Sequence, residues 1–110
     1  MRLFKTGATR DTEEGKLDYE GATSAIVLKR CAEYSRKHRK TASGERPCDN
    51  WKKGMPRDAY LKSLCRHVMD VRLHHRGFSE EAVGELEDAL CAVIFNASGY
   101  LHELLKGESK

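Results

Sequence analysis

The stretch "ELEDALCAVIFNASGYLHE", residues 85–103, decides the fold. Large apolar residues recur along it at helical spacing, which is typical of a helix that packs one face into a core. The opposite side of the same helix is acidic in its first half and continues with small residues and an amide. Small residues on a helix face indicate close approach by another helix or by a ligand. The apolar arc consists of Val83, Leu86, Leu90, Val93, Ile94, Ala97, Leu101 and Leu104, and the opposite arc of Glu81, Glu85, Asp88, Ala92, Asn96 and Gly99.

Two segments ahead of this helix also predict helices. Residues 23–40, "TSAIVLKRCAEYSRKHRK", carry apolar residues at helical spacing after Thr23 or Ser24, either of which can cap the first turn. A second helix opens at Asp58 with "DAYLKSLCRHVMDVRLHHR" and stops before Gly77, a residue that suits a helix C-terminus. For the third helix, the sequence predicts a cap at Ser79 and an end near residue 106.

The remaining segments predict irregular structure. Residues 1–21 lack periodicity, and residues 41–56 contain Gly and Pro at positions typical of a loop. No stretch alternates as a strand does. The sequence therefore predicts one all-α domain over residues 1–110, a small bundle of three main helices with an irregular N-terminal arm.

Composition bears on assembly and location. With 110 residues, 39% apolar and 34% charged, the chain has a thin core for its length, and we expect oligomerisation to complete it. The net charge of +3 is mild and favours neither nucleic acid nor a membrane surface. The polar N-terminus shows no signal peptide, and the four cysteines form no C-x-x-C pair. We therefore expect a cytoplasmic protein with reduced thiols.

A polar stripe on the second helix raises the question of a metal. If the second and third helices lie antiparallel with their polar stripes facing, His67 and Asp70 approach Glu85 and Asp88. Such a group is costly unless a cation neutralises it, and carboxylates favour Mg²⁺ or Mn²⁺. The alternative is two independent solvated faces.

Four stretches together resemble a known family. They are "GKLDYEG" at 15–21, "DNWKKGMP" at 49–56, "RHVMD" at 66–70 and "ELEDALCAVIFN" at 85–96. In order and spacing they resemble the dATP/dGTP diphosphohydrolase family of bacteriophages, which is similar to the MazG-like all-α nucleoside triphosphate pyrophosphatases. The resemblance covers nearly all of residues 8–105.

The resemblance implies a metal-dependent hydrolysis of purine (deoxy)nucleoside triphosphates to monophosphate and pyrophosphate. Glu85 and Asp88 match the family's E-x-x-D metal pair, while His67 and Asp70 stand where MazG-like enzymes usually carry E-x-x-E. That departure leaves the number and kind of metal ions open. Glu81 or Glu85 would orient the attacking water.

The resemblance also implies a set of nucleotide-binding residues in the loops and helices. For Trp51 the alternative is a core plug, for Asn96 a helix–helix hydrogen bond, and for each lysine a solvated position. The predicted nucleotide-binding residues are Lys16, Asp18, Tyr19, Asn50, Trp51, Lys53, Arg66 and Asn96.

A second function class uses the same pocket without turnover. The chain would then bind and sequester a nucleotide or a nucleotide-like signal, and the basic cluster at residues 36–40, "RKHRK", would suit such a polyanion. A helical nucleic-acid-binding module built on this cluster is the weaker alternative, because interspersed carboxylates leave no broad basic face.

Overall fold

The computed structural model describes residues 1–48 and 50–107. Over these ranges the chain is mostly helical, with short antiparallel strand pairs in the arm and in the loop. The helices are α1 (Tyr19–Ala22), α2 (Ala25–Lys37), α3 (Arg57–His75) and α4 (Leu86–Leu105). The strands are β1 (Arg2–Leu3), β2 (Thr9–Arg10), β3 (Lys40–Thr41) and β4 (Gly44–Glu45), and single 3₁₀ turns cover Asn50–Lys53 and Ser79–Glu81.

The prediction of an all-α class is confirmed to the extent that the described chain is mostly helical, and the three long helices match the three predicted ones. The strand pairs β1–β2 and β3–β4, in segments predicted to be irregular, were not predicted. Ser24 caps α2, because its hydroxyl accepts a hydrogen bond from the backbone N–H of Val27 at 3.4 Å. Past the end of α3, Gly77 adopts a φ of +88°, a conformation that costs a residue with a Cβ more than it costs glycine. None of the described helices combines the length and the apolarity that crossing a bilayer requires.

The start of the third helix differs from the prediction. Residues 79–81 form only a 3₁₀ turn, Ala82 is extended, and α4 begins at Leu86. Two contacts from α3 hold this interruption: Asp70 Oδ1 accepts a hydrogen bond from Val83 N at 3.2 Å, and the His74 ring lies 3.0 Å from the carbonyl oxygen of Gly84. Because these contacts use backbone groups that a continuous helix would need, the cap predicted at Ser79 does not start α4.

α3 and α4 pack as an antiparallel pair, since the start of α3 contacts the end of α4 and the end of α3 contacts the segment before α4. The face that α4 turns inward is the small and polar one. Its buried residues recur alternately three and four positions apart, as at a close helix–helix seam. They are Ala89, Ala92, Asn96, Gly99 and Glu103, and Cys91 is buried beside them.

The large apolar residues of α4 therefore lie outside, contrary to the expectation that they form the core. Leu90 and Ile94 are 44% and 43% exposed, and Leu101 is exposed as well. The physical reason is at Gly99. A Cβ placed there would overlap the ring of Tyr60, so the missing side chain admits this fully buried ring. The ring on the glycine fixes which face of α4 meets α3.

Gly99→Ala tests this contact. We expect a loss of about 1–3 kcal/mol in the free energy of unfolding, because the new methyl group overpacks against Tyr60. Chemical denaturation measures it. Ser98→Ala, at the exposed neighbouring position, should change stability little. In a Tyr60→Ala background the ring is gone, so Gly99→Ala should become neutral or stabilising, and equal losses in both backgrounds would contradict the contact.

Candidate functional site

A cavity of about 350 Å³ opens where the end of α2, the following loop, the start of α3 and the middle of α4 meet. Its volume lies at the lower end of the range of small-molecule sites, about 300–1,000 Å³. It is lined by Tyr34, Ser35, His38, Arg39, Arg46, Pro47, Cys48, Asn50, Trp51, Met55, Ala59, Tyr60, Ser63, His67, Phe95 and Asn96.

The charge of the lining has one sign. Arg39 and Arg46 carry fixed positive charges, His38 and His67 line the same cavity, and the described lining contains no carboxylate. The backbone N–H of Arg46 donates to the carbonyl oxygen of Arg39 at 2.7 Å, which holds the two arginines together. Arg39 Nε is buried and has no hydrogen-bond partner among the described residues. A buried charged donor without a partner favours an anionic ligand.

His38 is neutral for most of its population at neutral pH. Burial, reinforced by the charge of Lys37, lowers the pKa of the His38 imidazole from its usual 6.5. Its ring packs against Tyr34, with centroids 4.2 Å apart. Binding of an anion would favour the protonated ring, so His38 can couple binding to pH.

Aromatic side chains form another part of the lining. Trp51, the single tryptophan, is half-buried and meets the ring of His102 edge to face, with centroids 4.8 Å apart. Lys52 Nζ lies 5.6 Å from the centre of the Trp51 ring. Tyr60 and Phe95 meet edge to face at 6.3 Å. An aromatic base can stack on rings of this kind.

A buried carboxylate lies close to Tyr60 and to the loop at Met55. Glu103 is fully buried; its Oε2 accepts from the backbone N–H of Met55 at 3.3 Å, and its Oε1 forms an ion pair with Lys106 Nζ at 3.3 Å without hydrogen-bond alignment. Burial, together with the charge of Glu103, raises the pKa of Tyr60, so its hydroxyl stays protonated. These contacts tie the loop at Met55 to the end of α4.

The structure brings three of the predicted nucleotide-binding residues together in the cavity. Asn50 and Trp51 enter from the loop, and Asn96 enters from α4. Asn96 is buried, and its side-chain amide donates to the carbonyl oxygen of Ala92 at 2.8 Å, one turn back in its own helix. The helix–helix hydrogen bond considered for Asn96 is therefore absent from the described contacts.

The other predicted nucleotide-binding residues lie outside the cavity lining. Asp18 caps the short helix α1 by accepting from the backbone N–H of Gly21 at 2.8 Å. Arg66 donates to the hydroxyl of Ser63 at 2.9 Å on the exposed side of α3. The remaining three, Lys16, Tyr19 and Lys53, are exposed.

The predicted metal ligands do not gather into one cluster. Asp88 lies between α2 and α4, where its carboxylate accepts from Arg30 Nη2 at 2.8 Å and from Lys37 Nζ at 2.7 Å. Its charge is thus already neutralised by two cations. Within residues 1–48 and 50–107, no group of three or more His, Cys, Asp or Glu side chains lies close enough to share a metal ion. The residues present do not fit a carboxylate-bound Mg²⁺ or Mn²⁺, which stays a prediction.

The other predicted ligands and catalytic residues have different surroundings. His67 lines the cavity, with its Nδ1 3.9 Å from Asp70 Oδ2, while the other oxygen of Asp70 holds Val83. Glu85 precedes α4, is exposed and makes no capping hydrogen bond. Glu81 is exposed at the end of its 3₁₀ turn.

The sequence interpretation missed the cations and aromatic residues that dominate the cavity. Among the basic residues of the cavity, His38 and Arg39 belong to "RKHRK", the cluster considered only for the sequestering and nucleic-acid-binding alternatives. Arg46, Tyr34 and Tyr60 had no motif to mark them, because they come from three separate segments of the chain. Phe95 lies in the stretch at 85–96, but that stretch predicts no role for it.

Comparison of the chain with protein-family models, with curated protein sequences and with solved structures finds no match. The resemblance to the diphosphohydrolases therefore stays a prediction that depends on its four motifs alone.

Asp88→Asn separates the two roles considered for this carboxylate. As an anchor of α2, it should contribute about 1 kcal/mol to the free energy of unfolding, a modest value because Lys37 is 62% exposed and solvent screens the pair. The hydrogen bonds from Lys37 and Arg30 lower the pKa of Asp88, so this stability is present above the ordinary pKa of 3.8 and is lost as pH falls through the lower folded value.

Denaturation at neutral and at acid pH, with a chelator present, measures this loss. The difference between wild type and Asp88→Asn should shrink as the pH falls below about 4. Glu13→Gln, which removes an exposed ion pair with Arg2 in the N-terminal arm, is the control and should change stability little. A metal-ligand role predicts the reverse for Asp88→Asn: unchanged or higher stability in the chelated protein.

Proposed function

We propose that the chain is a nucleotide-binding protein that holds a purine nucleoside triphosphate or a related nucleotide in this cavity, as a homo-oligomer. One observation carries the proposal: the single tryptophan, two arginines and two histidines line the same cavity. The described part of that lining contains no carboxylate. A nucleotide has the matching parts: a flat aromatic base and a chain of phosphates.

Arg39 and Arg46 are the groups suited to the phosphates. A guanidinium presents several donors in a fixed fork and binds phosphate oxygens two at a time. Arg39 follows α2 and Arg46 follows the β3–β4 hairpin, so two neighbouring chain segments each bring one guanidinium to the same cavity. The unpartnered Nε of Arg39 supports this assignment.

Trp51 is the group suited to the base. Its edge-to-face contact with His102 holds the ring while it still lines the cavity. Base stacking on an aromatic side chain contributes about 1–3 kcal/mol in nucleic-acid complexes.

Binding without turnover is the version that the geometry supports best. The carboxylate of Asp88 is neutralised by Arg30 and Lys37, so holding a metal would first require breaking those pairs. Hydrolysis to monophosphate and pyrophosphate is the second candidate. One observation favours it: His67 lines the cavity with Asp70 beside it, two of the four predicted metal ligands.

Incubation with each common ribo- and deoxyribonucleoside triphosphate, with Mg²⁺ or with a chelator, tests both candidates. Trp51 fluorescence reports binding, and pyrophosphate release reports turnover. We expect a purine triphosphate to change the fluorescence in the chelator without release of pyrophosphate. Release that requires Mg²⁺ would favour the hydrolase, and the absence of both signals with every nucleotide would overturn the proposal.

Substitutions of Trp51 and of Arg46 test the base contact and the phosphate contact one at a time. Trp51→Ala should lower affinity roughly tenfold to a hundredfold by calorimetry, whereas Trp51→Phe keeps a stacking ring and much of the affinity. Arg46→Gln should lower affinity about tenfold or more for a triphosphate and little for the nucleoside. Lys53→Gln, which removes the same charge outside the lining, is the control and should bind normally.

Thermal melting of the same variants identifies loss of folding. If Trp51→Ala melts early yet binds normally while folded, Trp51 is a core plug and not part of the site.

The affinity should also depend on pH through His38. A bound phosphate stabilises the imidazolium and raises its pKa, so the affinity should increase a few-fold as pH falls from about 7.5 to about 5.5. The phosphates of a bound nucleotide titrate in this pH range as well. The measurement is therefore the comparison of wild type with His38→Gln at each pH. An identical pH dependence in both proteins would remove His38 from the binding site.

A further inference from the structure

A groove with an apolar lining runs between α2 and α4, away from the cavity. Ile26 and Val27 of α2 form one wall, Leu90 and Ile94 of α4 form the other, and Cys91 is buried at its floor. The groove encloses about 580 Å³ and shares no described lining residue with the cavity. Ile26 is exposed to 73% and Leu90 to 44%, although both are large apolar residues at regular helical positions. A groove lined by large, exposed apolar residues is a candidate interaction surface.

The exposed surface of the single chain is larger than that of a compact monomer of the same mass. The chain exposes 8854 Å². A compact monomer of 12.5 kDa exposes about 6,200 Å², which is about 2,700 Å² less. The N-terminal arm accounts for part of the excess. A stable interface needs about 800 Å² from each partner, so the remaining surface can supply one.

The charged side chains at the groove's rim indicate what kind of partner fits the groove. Lys29 and Arg30 stand beside Glu33 and Glu87, and they already pair in the single chain, Lys29 with Glu33 at 3.1 Å and Arg30 with Glu87 at 2.8 Å. A rim that carries both positive and negative side chains is complementary neither to a polyanion nor to an anionic lipid surface. It is complementary to the same rim on a second copy, because a two-fold axis brings the cations of one copy to the carboxylates of the other.

We infer that a second copy of this chain covers the groove in an isologous dimer. Leu90 and Ile94 of each copy then lie in the centre of the interface, and the mixed charges form its rim. The packing of α2 and α4 against their counterparts supplies the apolar core that α3 and α4 do not form within one chain. This inference does not depend on nucleotide binding, because the groove and the cavity share no described lining residue.

Sedimentation of the full chain tests the assembly, and a pair of matched variants tests the surface. At micromolar concentration the wild type should have twice the monomer mass of 12.5 kDa. Leu90→Glu should raise the dimer Kd at least tenfold. Leu61→Glu is the control: Leu61 lies on α3 outside the groove and is also 44% exposed, so this variant should remain a dimer. A monomeric wild type, or equal dissociation of both variants, would overturn the inference.

A charge-reversal pair keeps the test valid if Leu90→Glu fails to fold. Lys29→Glu makes the rim more acidic and Glu33→Lys makes it more basic, so each variant alone should dimerise more weakly than wild type at low salt. An equimolar mixture should restore the dimer, because opposite rims then face each other. A mixture that associates no better than its components would show that these rims do not meet. Binding by the nucleotide cavity is scored separately by Trp51 fluorescence, so either proposal can fail alone.

Discussion

The ring of Tyr60 against Gly99 is the contact on which the rest of this structure depends. It sets the distance between α3 and α4, because a glycine leaves only backbone for the ring to pack on. Once the ring is packed there, Ala92 and Ala89, which precede Gly99 by seven and ten positions, lie along the same seam. The larger apolar residues must then point outward, since they occupy the other side of a helix with 3.6 residues per turn. One small residue thus determines which surface of the longest helix is available for a partner.

The same seam forms the floor of the cavity. Tyr60 and Asn96 belong both to the helix–helix contact and to the cavity lining, so the floor is as rigid as the pair of helices. The walls are different: α2 and the loop carry the cations, and no residue of α2 is buried. A rigid aromatic floor and a less firmly packed cationic wall suit a ligand with a flat end and a charged end, which is the chemistry of a nucleotide.

Much of the fold could be predicted from the sequence because its signals are local. Ser24 and Gly77 act within one helical turn of themselves, so they mark the end of a helix without knowledge of the rest of the chain. The inward face of α4 could not be predicted in the same way. Helical periodicity finds two faces, and the choice between them depends on Tyr60, 39 positions earlier, fitting over Gly99. The acidic residues show the same limit. The sequence pattern around Asp88 predicted a bound metal cation. In the structure its partners are the cationic side chains of Arg30 and Lys37, at sequence separations of 58 and 51.

These ion pairs also connect the two proposed surfaces. Arg30 lines the rim of the apolar groove, Asp88 joins it to Lys37, and Lys37 precedes the cavity residue His38. Because α2 has no buried residue of its own, its position against α4 depends largely on these partly screened charges. A second copy packed on the groove would add apolar contacts to α2 and hold it more firmly. The cationic wall of the cavity would then be ordered before a ligand arrives, and pre-ordering of a binding group raises affinity without adding a contact to the ligand.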